Sequence, residues 1–350
     1  MACGNISRPQ KLPGIFVIMK IKQLINTGPR KIELQEKLFQ KLSDNSILVQ
    51  NEYTAISVGT EVYNFIYGKE PNSKTNFPRT TGYCNAGIVI EVGKEINGIV
   101  PGDRVAGQGN HASHSILTGM IHKIPDTVSS KEAAFMVMCA TSLHGHRVAN
   151  PKLGESVVVT GMGIVGQLAA SFAKLSGALP IIAIDLDNFR LSQAKARGTD
   201  ICINPEEVSD ISSIISTNCI TDGADLVIEA TGISSIYQTA LSLSRTGGRF
   251  LALGSPRNSV NISFLEDVHL REVTILGAHQ PKTPDESGIY YPWSKQRDRE
   301  LILHLMKTKK LVIEDLITHE VNPFQCQSVY DMLADYPHEV LGTVFDWTEC

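Results

Sequence analysis

The sequence predicts a two-part α/β protein, with a doubly wound parallel sheet inserted into an antiparallel, barrel-like β unit. Three observations predict it. The chain has 350 residues, long enough to bury roughly 75% of its unfolded surface but more than one core usually holds. After about residue 130 its texture changes from glycine-punctuated strands to strands alternating with helices, the signature of a parallel sheet covered on both faces. From about Gly288 the alternation stops, and the first kind of pattern resumes before the C-terminus. The composition is that of a globular chain: 42% hydrophobic, 19% charged, with 32 Lys+Arg against 36 Asp+Glu. The balance and the lack of a basic cluster exclude a nucleic-acid footprint. No apolar run approaches the roughly 18 residues of a membrane span.

The elements follow in order. Residues 1–18 read as an N-terminal extension or an overlong start, without the apolar stretch of a signal peptide. Met19 opens a strand, and ILVQNEYTAISVG is another, ended by Gly59. AGIVIEVGKEINGIVPGDRVAG (86–107) is strand-rich, with a turn at Pro101-Gly102-Asp103. Ser130 caps a helix beginning KEAAFMVMCATSLHGH. SVVVT is a buried strand, GMGIVG a turn and QLAASFAKLSG a helix. PIIAID and NFRLSQAKARG repeat the unit, and ADLVIEATG and GRFLALGSP continue it. A helix around RDRELILHLMKTKK and a strand in EVLGTVFDW close the chain. The expected division is 19–141 and 285–350 for the first unit and 142–284 for the inserted one. Seven cysteines, odd in number and widely spaced, fit reduced thiols in a cytoplasmic protein better than a disulfide framework or a zinc knuckle.

Gly161-Met162-Gly163-Ile164-Val165-Gly166 matches G-x-G-x-x-G between a strand and a helix, the context in which that string binds a dinucleotide. Gly161 permits the tight turn, Gly163 lets a pyrophosphate approach, and Gly166 lets the helix pack on the strand. Ile164 and Val165 open the helix, whose unpaired N–H groups favour phosphate. Asp185, 19 residues beyond Gly166, suits the two hydroxyls of an adenosine ribose and repels a 2′-phosphate, which selects NAD over NADP. Arg190 lies nearby and is expected to face solvent. Thr231, after the strand in ADLVIEATG, is a further cofactor contact.

GYCNAGIVIEVGKEINGIVPGDRV, GESVVVTGMGIVGQLAASFAKLSGA, GADLVIEATG and LSRTGGRFLALGSP together resemble the medium-chain dehydrogenase/reductase family, from Met19 to Trp347. The resemblance implies a GroES-like β-barrel catalytic domain, a Rossmann domain, a cleft between them and hydride transfer at a nicotinamide. It places Thr141, Leu253, Ala278 and Gln280 at nicotinamide contacts. It also implies dimers or tetramers, paired through edge strands around 253–275.

Many such proteins bind a catalytic zinc through Cys, His and Cys or Glu. By the same resemblance those positions here are Val58, Tyr83 and Val137, and the four-cysteine structural lobe is missing. Valine cannot ligate and neutral tyrosine is a poor ligand, so no metal is expected. The string Ser57-Val58-Gly59-Thr60-Glu61 resembles a zinc-free branch that includes the bacteriochlorophyllide dehydrogenases. Without zinc, side chains must hold the reacting oxygen and relay the proton.

Four residues are candidates for that work. Tyr83 replaces a ligand and its phenol can donate to a carbonyl, unless it only fills the space. Thr60 stands where relatives relay a proton, and it also suits a helix N-cap before Glu61. Glu61 can orient Thr60 or a substrate hydroxyl, or serve as a first-turn carboxylate. His111, in GQGNHASHSI, is expected to line the substrate mouth. The function expected is an NAD-dependent, zinc-independent interconversion of a secondary alcohol and a ketone on a small polar substrate: a polyol, sugar, cyclitol or aminocyclitol. The rivals are a quinone or enone reductase and a non-catalytic dinucleotide-binding protein.

Overall fold

The computed structural model describes residues 19–39, 41–68 and 77–350; the expected extension 1–18 lies outside them. A six-stranded parallel sheet runs in the order Ile201–Ile203, Ile181–Ile184, Val157–Thr160, Ala224–Glu229, Ser244–Ala252, Thr274–Gly277. Each of its first units is a run of β-branched residues followed by an amphipathic helix, Ile164–Leu175 after Val157–Thr160 and Asn188–Ala196 after Ile181–Ile184. Such runs pair in parallel only when both faces are covered, and Val157, Val158, Val159, Ile182 and Ala183 are all fully buried. The chain order reverses beside Val157–Thr160, so a crevice opens at the carboxyl ends of the central strands.

The second unit is antiparallel. A seven-stranded sheet contains Ile317–Val321, Gly342–Asp346, Ser46–Ala55, Asn85–Val92, Arg104–Gly107 and His122–Lys123 in that order, with His114–Thr118 also on Ser46–Ala55. Lys31–Leu38, Lys20–Gly28 and Arg79–Thr80 form a smaller sheet. Val344 pairs with Ala55, so the last strand returns to the antiparallel unit that precedes the inserted sheet. Among the elements that escaped the sequence reading are the strands Ile201–Ile203, Thr274–Gly277 and Ile317–Val321 and the helices Ile211–Asn218, Tyr237–Ser242 and Cys326–Asp335, most of them too short to show a period.

The helix Met136–Ala149 joins the units. Its Met136, Cys139 and Leu143 pack with Leu168 and Phe172 of the inserted unit and with Ile302, Leu303 and Met306 of the helix Lys295–Lys307 in one core. Among the described residues no helix is long and apolar enough to cross a membrane.

Three local expectations are corrected. Gly59 does not end a strand. The strand stops at Ala55 and a helix spans Val58–Tyr67, because the Ser57 carbonyl accepts from the N–H groups of Thr60 and Glu61. The cap of the next helix is Ser129, not Ser130. Ser129 and Glu132 close a reciprocal capping box, while the Ser130 hydroxyl donates to Glu52. Within 253–275 only the beginning of the edge strand Thr274–Gly277 appears. Phe264–His269 is helical, held by the Ser263 side chain accepting from the Glu266 N–H at 3.3 Å and by the Ser263 N–H donating to Asp267 at 2.8 Å.

Candidate active site

The glycine turn lies at the carboxyl end of Val157–Thr160. Gly161 has φ +86°, and a Cβ there would lie 2.5 Å from Thr231 Cγ2, so only glycine fits against the neighbouring strand's end. A Cβ on Gly166 would lie 1.8 Å from the Gly161 carbonyl oxygen; the helix is that close to the turn. Gly163, the N-cap of Ile164–Leu175, faces open space. The turn therefore offers bare backbone and the first N–H groups of a helix, those of Ile164 and Val165 among them, to an approaching anion.

Asp185 follows Ile181–Ile184 and reaches the same turn. Its Oδ2 accepts from the Met162 N–H at 2.6 Å and its Oδ1 from the Asp187 N–H at 2.9 Å. Each oxygen keeps a lone pair for a ribose hydroxyl. Arg190 does not face solvent as expected. Its side chain is 22% exposed and Nη2 donates to the Pro337 carbonyl at 2.9 Å, tying the inserted unit to the C-terminal segment of the first.

Thr231 sits at the carboxyl end of Ala224–Glu229, its N–H donating to buried Glu229 at 2.8 Å. Leu253 is buried against Gly145, where a Cβ would lie 2.7 Å from Leu253 Cδ1. The Ala278 N–H donates to the Ala252 carbonyl at 3.2 Å, Gln280 begins a short 3₁₀ turn, and Thr141 lies on the joining helix one turn beyond Val137. The residues assigned to a dinucleotide thus lie on the carboxyl-end side of the parallel sheet and on the helix linking it to the first unit.

The four catalytic candidates separate into two groups. Tyr83 is half-buried against the joining core, with the Ser57 and Thr60 side chains close enough to its phenol to pull its pKa down. Burial, then Cys84 and Glu61, raise its phenol well above the ordinary tyrosine value against the opposing pull of Ser57 and Thr60. A phenol so placed stays protonated: it can donate to an oxygen, not abstract a proton. Thr60 is not the helix N-cap; that position is Ser57, and Thr60 sits half-buried in the first turn.

His111 and Glu61 lie deeper. His111 does not line a mouth. It is 0% exposed, its Nε2 is 3.0 Å from Glu61 Oε2 and its Nδ1 is 2.7 Å from Thr54 Oγ1. Thr54 Oγ1 also accepts from the Trp347 ring N–H at 2.8 Å. Gly82, at φ +85° with a Cβ position 2.6 Å from the His111 ring, makes room for it. Glu61, 3% exposed, accepts from the Ser57 N–H at 2.8 Å, Thr81 Oγ1 at 2.8 Å and the Tyr330 hydroxyl at 2.6 Å. Burial alone would raise this carboxyl, yet His111, Tyr330 and the Ser57 N–H outweigh it and hold the carboxyl below the usual range. Sequence reasoning missed Thr54, Thr81 and Tyr330, whose hydroxyls carry no local pattern.

The donor set does not fit zinc. Val58 and buried Val137 offer no ligand atom, Tyr83 is held protonated, and burial pushes the Cys84 thiol well up. Among the described residues no three His, Cys, Asp or Glu side chains gather where a metal ion could bind.

A cavity of about 380 Å³ is lined by Gln108, Thr118, Met120, Lys295 and Arg299 of the first unit and by Gln280 and Pro281 of the inserted one. Arg299 is a further residue that sequence reasoning missed. It lies on the helix Lys295–Lys307 in step with buried Ile302, Leu303 and Met306. A charge on an apolar stripe at that spacing was the available signal.

Residues 165–292 match the family of zinc-binding dehydrogenases. The chain is 28% identical over 324 residues to D-guloside 3-dehydrogenase of Escherichia coli (85% of this chain, 91% of that protein). It is 27% identical over 327 residues to a probable D-xylulose reductase A of Aspergillus clavatus (83% and 87%). Among solved structures, an Escherichia coli oxidoreductase/dehydrogenase of unknown specificity involved in membrane biogenesis superposes with a TM-score of 0.83 at 20% identity, covering 94% of this chain and 99% of that one.

Proposed function

We propose that this chain, whose fold and dinucleotide segment are those of the medium-chain, zinc-type alcohol dehydrogenases, is an NAD-dependent oxidoreductase that works without zinc. Its reaction interconverts a secondary alcohol and a ketone on a small polyhydroxylated substrate: a polyol, sugar, cyclitol or aminocyclitol. Two observations support the reading: a glycine turn and Asp185 at the carboxyl end of the parallel sheet, and hydroxyls at Ser57, Thr60 and Tyr83 in the segments where the family resemblance expects metal ligands.

The turn at Gly161–Gly166 would hold the pyrophosphate and Asp185 the adenosine ribose. The Asp185 carboxylate, which would repel a 2′-phosphate, supports NAD over NADP. When bound, the nicotinamide supplies the hydride chemistry. The chain's own part is to bind and orient the carbinol. Tyr83, kept protonated, donates to the substrate oxygen. On oxidation the carbinol proton passes to the Thr60 and Ser57 hydroxyls beside that phenol and on to water, and on reduction it returns by the same path. Glu61 and His111 anchor the helix start that presents Ser57 and Thr60, acting through position. The buried, uncharged thiol of Cys84 fills the floor. The same reading includes a homodimer or homotetramer, with exposed Leu270 and Ile275 (66% and 40%) beside the sheet edge.

The test is a matrix of NAD⁺ and NADP⁺ against neutral and charged polyols, cyclitols and ketoses, on protein dialysed against a chelator and assayed for metal. Turnover with NAD⁺ in metal-free protein is expected. Activity that returns only with stoichiometric zinc would overturn the mechanism, and absence of NADH binding would overturn the function.

A further inference from the structure

Arg299 lines the cleft cavity yet is 1% exposed. Its Nε and Nη1 have no hydrogen-bond partner, and among the described residues no carboxylate pairs with it. Asp298, next in the chain, faces Arg147 at 3.5 Å. Asp285, also on the cavity wall, lies 2.8 Å from Lys295, with its own side chain 74% exposed. The groups that sense the guanidinium are Cys84 and His122. Burial keeps that thiol protonated. Burial and Arg299 push the His122 imidazole down to about 4, so it is neutral as well. His122 is 4% exposed and its Nε2 is also unpartnered.

A guanidinium does not shed its proton at ordinary pH, and a buried charge without a counterion is strongly unfavourable. The five N–H donors of arginine form a fork that matches carboxylate or phosphate oxygens. The cavity is large enough for a small ligand, and Gln280, placed at the nicotinamide by family resemblance, lines it too. We propose that Arg299, unpaired in the cleft, binds an oxyanion carried by the substrate. The alcohol oxidised is then a polyhydroxy carboxylate or a polyol phosphate and not a neutral polyol. Lys295, partly engaged by Asp285, adds a second positive charge at the same cavity. The inference rests on the reading of the cleft as a dehydrogenase substrate site.

The test uses the full chain saturated with NADH. Isothermal titration with inorganic phosphate, D-gluconate, D-glucitol 6-phosphate and D-glucitol is run on the wild type, Arg299→Gln and Arg299→Lys. NADH affinity and the ligand-free melting temperature are measured on each. At least one anion should bind tenfold or more tighter than D-glucitol, and the order of gluconate and glucitol phosphate identifies the anion class. Arg299→Gln should lose that tenfold advantage while Arg299→Lys keeps part of it. Ligand-free Arg299→Gln should melt no lower than the wild type, since a lone buried charge has been removed. The proposal is overturned if no anion outbinds D-glucitol, or if Arg299→Gln keeps the anion affinity. A lower ligand-free melting temperature in Arg299→Gln would make the residue structural. A loss of NADH affinity would assign it to the cofactor. If the wild type binds no NADH, it is the dehydrogenase reading that fails.

Discussion

Glu61 and His111 entered as candidate catalytic groups, and the fold gives them another task that a single substitution can reveal. The Glu61 carboxylate accepts four hydrogen bonds, from the Ser57 N–H, Thr81, Tyr330 and His111, at 2.6–3.0 Å. In Glu61→Ala the Thr81 and Tyr330 hydroxyls, 3.2 Å apart, can turn to each other. The Ser57 N–H and the His111 ring nitrogen have no such recourse. Each stranded buried donor costs about 1–3 kcal/mol, and breaking a buried charged network costs about 3–5 kcal/mol in all. That is a large share of the roughly 5–15 kcal/mol of a typical domain. Glu61→Gln keeps the shape and one acceptor, so about 1–3 kcal/mol is expected. Urea unfolding is the assay, followed by the fluorescence of Trp347, which is 1% exposed and bonded into the same network through Thr54. Both variants, measured below their unfolding midpoints, should retain kcat to within about tenfold. If Glu61→Ala unfolds within about 0.5 kcal/mol of the wild type while kcat collapses, the residue is catalytic and the argument is wrong.

Four further outcomes are expected. Asp185→Ala should weaken NADH binding by roughly 10- to 100-fold in a fluorescence titration, the loss of charge-assisted bonds to the ribose; unchanged affinity would refute the assignment. Gly166→Ala forces a methyl to 1.8 Å from a backbone oxygen that cannot swing aside, so it should open the turn, abolish NADH binding and lower stability by about 1–3 kcal/mol, while wild-type binding in that variant would contradict the packing described. Tyr83→Phe should lower kcat by about 100-fold or more without moving NADH affinity, and an unaltered kcat would leave Tyr83 as a space-filler. For pH, His122 is neutral in the fold down to about 4, whereas the unfolded imidazole takes a proton below about 6.5. The unfolded state therefore binds more protons between those values, and stability must fall as pH falls through that window, by up to roughly 3 kcal/mol for this group. Glu61, with its folded value depressed, adds to the loss at still lower pH, and a His122→Gln variant should flatten the slope between 6.5 and 4 in pH-dependent urea unfolding.

What could be read along the chain was whatever repeats or sits within one turn. The β-branched runs, the amphipathic helices and Gly161-x-Gly163-x-x-Gly166 announce a parallel sheet with a nucleotide turn, because period and backbone freedom are local properties. Asp185 was legible for the same reason, lying at the end of the next strand. By the family resemblance, valine stands at positions 58 and 137 where a ligand is expected, and valine has no donor atom. Only the tertiary structure decided which polar residues meet. His111 and Glu61 are fifty positions apart, and nothing in either neighbourhood says that a buried hydrogen-bond network closes over both. Arg190 turned from solvent to Pro337, 147 positions away. Arg299 is 1% exposed because the helix Lys295–Lys307 packs its Ile302 and Met306 into the core. Burial, and with it the free energy of an ion or a hydrogen bond, is set by the whole fold's arrangement around a residue, and no window of sequence contains it.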